Sequence, residues 1–382
     1  MPGLYIHIPY CVQKCAYCDF VSVPAKAGVP AAYVSALRNE AERAAEAWQS
    51  TVFDTVFFGG GTPTLLSPEQ VRAVGAALTA LFSFADKTEF TVECNPGTVS
   101  AEKLAAWREI GANRLSVGLQ SACDPLLCTI GRIHRRDDFT EAVRLAKEAG
   151  FTDISADLMV GLPGQRQEDH LASIRFAAEH GVTHISAYSL ILEEGTPLAR
   201  RVATGECTLP DPDSVADAED AGRDLLGELG FERYEISNYA KPGHRCRHNI
   251  TYWENGEWLG LGAAAHSAKG IGGGRVRSGN PDDIEAYISA WNAGHAPQTT
   301  EERLTPEDEM FECVMLGLRM TEGFSLGAFE RRFGMPLAAA YPGQLRQLKS
   351  FGWLDEAAWN AGRCALTERG LDFESAAAEL FL

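Results

Sequence analysis

No apolar run among the 382 residues approaches the roughly 20 needed to span a bilayer, so direct insertion into a membrane is not expected. Cationic side chains are scarce. There are 34 Lys and Arg against 52 Asp and Glu, a formal net charge of −18. Such a surface repels phosphate backbones and anionic lipid, which sets aside nucleic acid as a partner. The opening MPGLYIHIPYC has no basic stretch ahead of an apolar one and no small-residue cleavage site, so a cytoplasmic chain is expected. The glycine-rich stretch 270–274 lacks the Lys-Ser/Thr of a phosphate loop and reads as a flexible hairpin. The paired CxxC or Cys-plus-His spacing of a structural zinc site is also missing.

What the chain has is a repeated alternation. Six short β-rich apolar segments recur at 4–9, 55–60, 89–95, 114–120, 153–160 and 184–192, separated by stretches of helical periodicity. Ser67-Pro68-Glu69-Gln70 reads as N-cap, N1 proline and capping-box glutamine. Ser100 caps a helix that Gly111 ends, and Asp137 or Asp138 caps one that Gly150 ends. Strand–helix repetition of this kind implies parallel strands with crossover helices. An open doubly wound sheet and a partial TIM-like barrel both fit, and in either the site collects at the C-terminal ends of the strands. Cys11, Gly59–Pro63, Glu93, Gln120 and Asp157 all fall at or towards such ends.

The pattern changes near residue 231. Aromatics and glycines take over through about 300, which suggests a strand-and-loop extension near the barrel mouth. A second N-cap and N1-proline signature, Thr305-Pro306, opens a C-terminal module at 301–382 with the order helix–helix–helix–hairpin. That order is winged-helix-like. Residues 305–382 carry seven basic and twelve acidic side chains, so packing or partner docking is expected of it rather than DNA binding.

Seven of the ten cysteines are scattered and read as small buried hydrophobes. The other three form Cys11-Val-Gln-Lys-Cys15-Ala-Tyr-Cys18. Three thiolates on one short loop reach three corners of a cubane iron–sulfur cluster and leave its fourth iron open to another ligand.

This CxxxCxxC, with Tyr17 before its last cysteine, resembles the signature of the radical S-adenosylmethionine (SAM) superfamily, whose fold is a partial (β/α)6 barrel. The resemblance implies a [4Fe-4S] cluster on Cys11, Cys15 and Cys18. SAM would chelate the open iron, and its reductive cleavage would yield a 5′-deoxyadenosyl radical. Tyr5-Ile-His-Ile-Pro9, Gly59-Gly-Gly-Thr-Pro63, Glu93-Cys-Asn-Pro96, Ser116-Val-Gly-Leu-Gln120, Gly131-Arg132 and Asp157-Leu-Met-Val-Gly-Leu-Pro163 resemble the HemN/HemW branch. With it come expected SAM contacts: backbone groups of Gly60, Gly61 and Thr62, the carboxylate of Glu93, and Gln120, Arg132 and Asp157. Tyr5 is either a SAM contact or a strand aromatic, and Arg132 taken alone could be a surface ion pair. The architecture expected is a radical SAM barrel at 1–230, an extension at 231–300 and the C-terminal module at 301–382.

The branch contains oxygen-independent coproporphyrinogen III oxidases and HemW-type haem chaperones. The oxidases resemble this chain less. They carry a further cysteine where Phe20 stands, and a longer segment before the first strand. His248-Asn-Ile-Thr-Tyr252-Trp253 matches the HNxxYW associated with haem binding in the chaperones. The resemblance thus implies haem or another tetrapyrrole as ligand and haem-accepting proteins as partners. It offers His248 or Cys246 as iron ligand, with Tyr252 and Trp253 stacked on the porphyrin. Read as residues alone, His248 and Asn249 could equally hydrogen-bond a loop while Tyr252 and Trp253 fill core. A radical enzyme acting on a tetrapyrrole remains a third reading, so enzymatic activity stays open, and the sequence admits a homodimer.

Overall fold

A computed structural model of the chain describes residues 1–271 and 274–382. The tip of the expected 270–274 hairpin, Gly272 and Gly273, lies outside the described residues. Six strands form the body of the fold: β1 (Gly3–Ile8), β2 (Val52–Gly60), β3 (Ser83–Cys94), β4 (Arg114–Gln120), β5 (Asp153–Val160) and β6 (His184–Ser189). Each pairs in parallel with the next. The crossovers contain α1 (Ala31–Trp48), α2 (Pro68–Leu81), α3 (Ala101–Glu109), α4 (Arg136–Glu148) and α5 (Gln167–Glu179), and α6 (Pro212–Glu228) follows β6.

Both edges are extended rather than joined. Past β6 come β7 (Glu232–Arg233) and β8 (Asn238–Ala240). On the far side β9 (Trp258–Leu261) lies parallel to β1, followed by antiparallel β10 (His266–Ile271), β11 (Gly274–Gly279) and β12 (Thr300–Arg303). The order β12-β11-β10-β9-β1-β2-β3-β4-β5-β6-β8-β7 leaves two free ends, so the barrel is partial.

Side-chain alternation explains where the site is. Along β4, Leu115, Val117 and Leu119 are fully buried in the core beneath the helices, while Arg114, Ser116, Gly118 and Gln120 line the barrel interior. The outer faces of the strands are apolar, and the polar strand residues collect in the lumen beside Phe57 and Met159. Local signals behave as expected at Ser67 and Ser100, whose side chains accept N–H bonds from Gln70 and Lys103. At α4 the N-cap is Arg135, not an aspartate. Asp138 sits three residues in and its carboxylate accepts the Arg135 N–H at 2.7 Å.

The 231–300 region departs from expectation in position. Helix α7 (Arg247–Trp253) closes the N-terminal end of the barrel, opposite the mouth. Glu89, early in the paired part of β3, accepts the first-turn N–H groups of Arg247 and His248 at 2.8 and 2.9 Å. A carboxylate there satisfies orphan donors and favours the helix dipole. Helix α8 (Ile284–Asn292) packs on α1. In the C-terminal module, α9 (Pro306–Leu318), α10 (Leu326–Phe333) and α11 (Pro342–Phe351) enclose a second core around Val314, Leu318, Phe329 and Leu348. None of the described helices is long and apolar enough to cross a membrane.

Candidate cluster and cofactor site

The cysteine loop leaves β1 at the barrel mouth and is tied down from three directions. The Ala25 N–H donates to the Cys11 carbonyl at 2.7 Å, the Ala16 N–H to Ile130 at 3.0 Å, and the Lys14 Nζ to the Phe20 carbonyl at 2.9 Å. Two thiols are held by polar side chains. The Thr62 hydroxyl donates to Cys11 Sγ at 3.3 Å, and Arg132 Nη1 donates to Cys15 Sγ at 3.5 Å. Burial pushes the thiol of Cys11 up and that of Cys18 up to about 11. In the free protein these groups hold their protons, and bound cations would displace them. The donor set suits iron–sulfur chemistry: soft sulfur, with hydrogen-bond donors already aimed at it.

Arg132 is not a surface ion pair. It is half-buried against the loop, and its guanidinium spans Asn95 Oδ1 and the Gly118 carbonyl, both at 2.6 Å from Nη2. Burial opposes its charge, but Tyr17 and the Cys15 sulfur more than offset that. His134 is pushed down to about 4 by burial and by Arg132, so its neutral ring accepts from Arg132 Nε at 3.3 Å while Nε2 faces the Leu119 carbonyl. Asn95 also donates to the Thr62 hydroxyl at 2.7 Å. One network therefore joins the supports of Cys11 and Cys15.

Below the loop a cavity of about 390 Å³ runs into the barrel, within the range of sites that enclose one cofactor-sized ligand. Glu93 lies on its wall. Its carboxyl is pushed up to about 8, first by burial and then by the neighbouring charge of Asp157. Asp157 is raised too, mainly by burial, although Ser116 donates to it at 3.0 Å and Ser186 adds a second bond. Two carboxyls that resist ionisation together would welcome a cationic ligand. At the floor Arg114 is fully buried, and its Nε and Nη2 have no hydrogen-bond partner among the described residues.

The glycine turn is set by packing. Gly60 has φ +102°, and a Cβ there would lie 2.3 Å from the His7 ring. The Gly60 N–H is used by Glu93 at 3.1 Å and the Gly61 N–H by the Ile8 carbonyl at 3.0 Å. What this turn can still offer an ammonium is carbonyl oxygen. Gln120 lines the cavity with φ +64°, beside a register break between β4 and β5. A non-glycine residue in that region is strained, and strain of this kind gathers at functional sites. Tyr5 does not border the cavity. Its hydroxyl donates to His7 Nδ1 at 2.9 Å, and its ring stacks on Phe57.

Residues 5–177 match the family described as the Radical SAM superfamily, and residues 304–373 match the HemN C-terminal domain. The chain is 37% identical over 353 residues to the heme chaperone HemW of Bacillus subtilis, covering 92% of both chains. It is 35% identical to the heme chaperone HemW of Escherichia coli, covering 100% of this chain and 98% of that one. Among solved structures, the coproporphyrinogen III oxidase HemN of Escherichia coli superposes with TM-score 0.83 at 22% identity, over 100% of this chain and 89% of the other. This chain belongs to the HemW family of radical SAM proteins. The family implies a [4Fe-4S] cluster and SAM as cofactors.

In this HemW-family chain the HNxxYW residues are packed at the N-terminal end of the barrel, with His248 buried. His248 is 1% exposed. Its Nδ1 is hydrogen-bonded to Thr55 Oγ1 at 2.8 Å and its Nε2 to the Tyr252 hydroxyl at 2.9 Å. Its ring stacks on Phe57 at 5.0 Å, and burial pushes its pKa down to about 3. Cys246 is buried beside Glu89, its thiol pushed up to about 12 by burial. Trp253 lies under the Arg319 guanidinium at 4.4 Å, and Tyr252 packs edge-on to Trp258. Both imidazole nitrogens are engaged here, so His248 would have to exchange the Thr55 or Tyr252 partner before it could take an axial position. Only Asn249 of the motif borders the cavity, from below.

Sequence reasoning places Asn95 and Ser116 within motifs without giving them roles, and misses His134, Ser186 and Arg114. Ser116 and Arg114 share the two-residue alternation of Gln120, which marks them as lumen-facing. Asn95 stands within the Glu93-Cys-Asn-Pro96 motif, but its role, like that of His134, arises only when loops distant in sequence meet.

Proposed function

We propose that this chain is a haem carrier of the HemW type, in which Cys11, Cys15 and Cys18 hold the [4Fe-4S] cluster and the cavity below them takes SAM. Its chemistry is single-electron supply at the barrel mouth when the cluster is bound. The chain's own residues do the rest. Thr62 and Arg132 direct hydrogen bonds at the Cys11 and Cys15 sulfurs. Glu93 and Asp157 supply negative charge for the cationic end of SAM, and the Gly60–Gly61 turn supplies carbonyl acceptors. Gln120 is pre-set in its strained conformation on the same wall. The reading is carried by full-length similarity to proteins named heme chaperones, over 92% or more of both chains in two of them. The likeness to the oxidase HemN, at 22% identity, speaks for fold alone. On this reading the chain delivers haem to acceptor proteins in the cytoplasm, as monomer or homodimer; ten unpaired cysteines suit a reducing compartment.

The test offers the anaerobically reconstituted protein haem and coproporphyrinogen III in separate samples, each with SAM and a reductant. A stable haem complex without protoporphyrinogen is expected. Protoporphyrinogen together with 5′-deoxyadenosine would make it an oxidase.

A further inference from the structure

We infer that His134 is a positioning residue for the cluster: it fixes the plane of the Arg132 guanidinium, so that Nη1 stays aimed at the Cys15 sulfur and keeps the cluster's reduction potential up. This rests on the cluster reading above and extends it to a residue outside the cysteine motif. Arg132 follows Gly131 in a loop, and its guanidinium is held at two points. Nη2 donates to Asn95 Oδ1 and to the Gly118 carbonyl, both at 2.6 Å. Two bonds on one nitrogen make a pivot, about which a planar fork can still tilt. The second point is Nε, which donates to His134 Nδ1 at 3.3 Å. Together the two points set the direction of Nη1, which donates to Cys15 Sγ at 3.5 Å.

The imidazole is itself rooted. His134 is 3% exposed, and its Nε2 faces the Leu119 carbonyl at 3.2 Å. A carbonyl only accepts and an arginine Nε only donates. One tautomer satisfies both partners, with the hydrogen on Nε2 and a lone pair on Nδ1. Leu119 and Gly118 are neighbours in β4, so both anchors of the guanidinium lead back to one strand of the barrel. The Nη2 bond to Asn95 continues through the Thr62 hydroxyl to Cys11 Sγ, so a tilt of the fork reaches two of the three thiols. One Nη1 hydrogen has no partner among the described residues, which leaves it for the SAM of the adjoining cavity. Reduction adds negative charge to a cluster. Hydrogen bonds to its sulfurs, and a guanidinium beside them, therefore favour the reduced form.

The experiment poises the anaerobically reconstituted full chain, without SAM, against viologen mediators and reads the reduced cluster by electron paramagnetic resonance. His134→Phe keeps a ring in the space and removes the acceptor. His134→Gln restores one, because an amide oxygen accepts from Arg132 Nε while its NH2 faces Leu119. Ile133→Ala alters an exposed neighbour in the same loop. At the poise that half-reduces the wild type, the reduced-to-oxidised ratio should fall about tenfold in His134→Phe, about 59 mV for a one-electron couple. His134→Gln and Ile133→Ala should stay within about threefold of wild type, roughly half that shift or less. Adding His134→Phe to Arg132→Lys should bring no further fall, because the histidine acts through the arginine. A wild-type ratio in His134→Phe with its cluster retained overturns the inference. So does an equal fall in Ile133→Ala, a His134→Gln no better than His134→Phe, or additive falls in the double variant. Should His134→Phe hold no cluster, the ring 15N signals of His134 in the wild type decide, assigned by their loss in His134→Gln. A proton on Nδ1 overturns the inference; a bare Nδ1, with His134→Gln at the wild-type ratio, sustains it. A wild type that holds no cluster is a distinct failure: it removes the cluster assignment itself.

Discussion

The two ends of the barrel carry the chain's two most legible motifs, and they are built in opposite ways. At the mouth, CxxxCxxC sits on a loop above a cavity whose walls carry the carboxyls of Glu93 and Asp157 and the strained Gln120. At the base, HNxxYW sits on a short helix whose His248 has both nitrogens taken and whose N-terminus is capped by Glu89. A motif names residue types at a spacing. Whether they meet a ligand or each other depends on what the rest of the chain places opposite them. Thr55, 193 positions from His248, decides the second case.

The largest effect expected is at the mouth. Cys15→Ala removes one of three thiols and should abolish the cluster's visible absorbance altogether. If haem transfer then continued unchanged, the mouth's cluster would have no part in carriage, and the two ends would differ less than their geometry says.

His248→Ala should act on stability rather than on haem. It deletes a fully buried ring, opens a void and strands the hydroxyls of Thr55 and Tyr252. Together these cost about 3 kcal/mol, read by denaturant unfolding. Loss of the haem band with unfolding unchanged would reverse the assignment and make the base a binding site.

A smaller, pH-dependent effect sharpens the account of the mouth. Glu93 titrates at about 8, raised from the ordinary glutamate value by burial and by Asp157. At neutral pH it is mostly protonated in the free protein, and a cationic ligand favours its ionised form. SAM binding should therefore release a proton, and affinity should fall by up to tenfold per pH unit below about 8. The stability linkage has the opposite sign. Because the folded state holds this proton more tightly than the unfolded one, stability is lost as pH rises from the unfolded value near 4.5 towards 8. Glu93→Gln should flatten both profiles, measured by calorimetry in buffers of different ionisation heat and by unfolding at pH 5 and 9. The groups facing Glu93, namely Asp157, Tyr5 and Tyr252, keep a residual slope in the variant.

Legibility followed the same division. The six strands, the glycine turn and the cysteine triplet are local patterns, readable from alternation, punctuation and spacing. Arg132 was ambiguous because its partners, Asn95, Gly118 and Cys15, come from three other segments. The position of α7 was misread, near the mouth rather than at the base, because its anchor is Glu89, some 158 residues earlier. The left-handed backbone of Gln120 has no signature at all in a non-glycine residue.

The smallest effect probes how the base joins the C-terminal module. Arg319, just past α9, lies over Trp253 at 4.4 Å and reaches the fully buried Glu235 at 3.4 Å. The Trp253 Nε1–H has no partner among the described residues. Trp253→Phe keeps an aromatic face under the guanidinium, weakens the cation–π attraction, and removes that stranded donor. These terms oppose each other, so the net change should be under about 1 kcal/mol. A double-mutant cycle with Arg319→Lys isolates the coupling, expected at roughly 0.5–2 kcal/mol. A coupling near zero would mean that the module is held by its other polar links, such as Arg245–Glu322 and Arg277–Glu312, and by apolar contact. A hemin affinity that fell in Trp253→Phe without any change in unfolding would turn α7 from a plug into a ligand-bearing element, and the contrast between the barrel's two ends would fail.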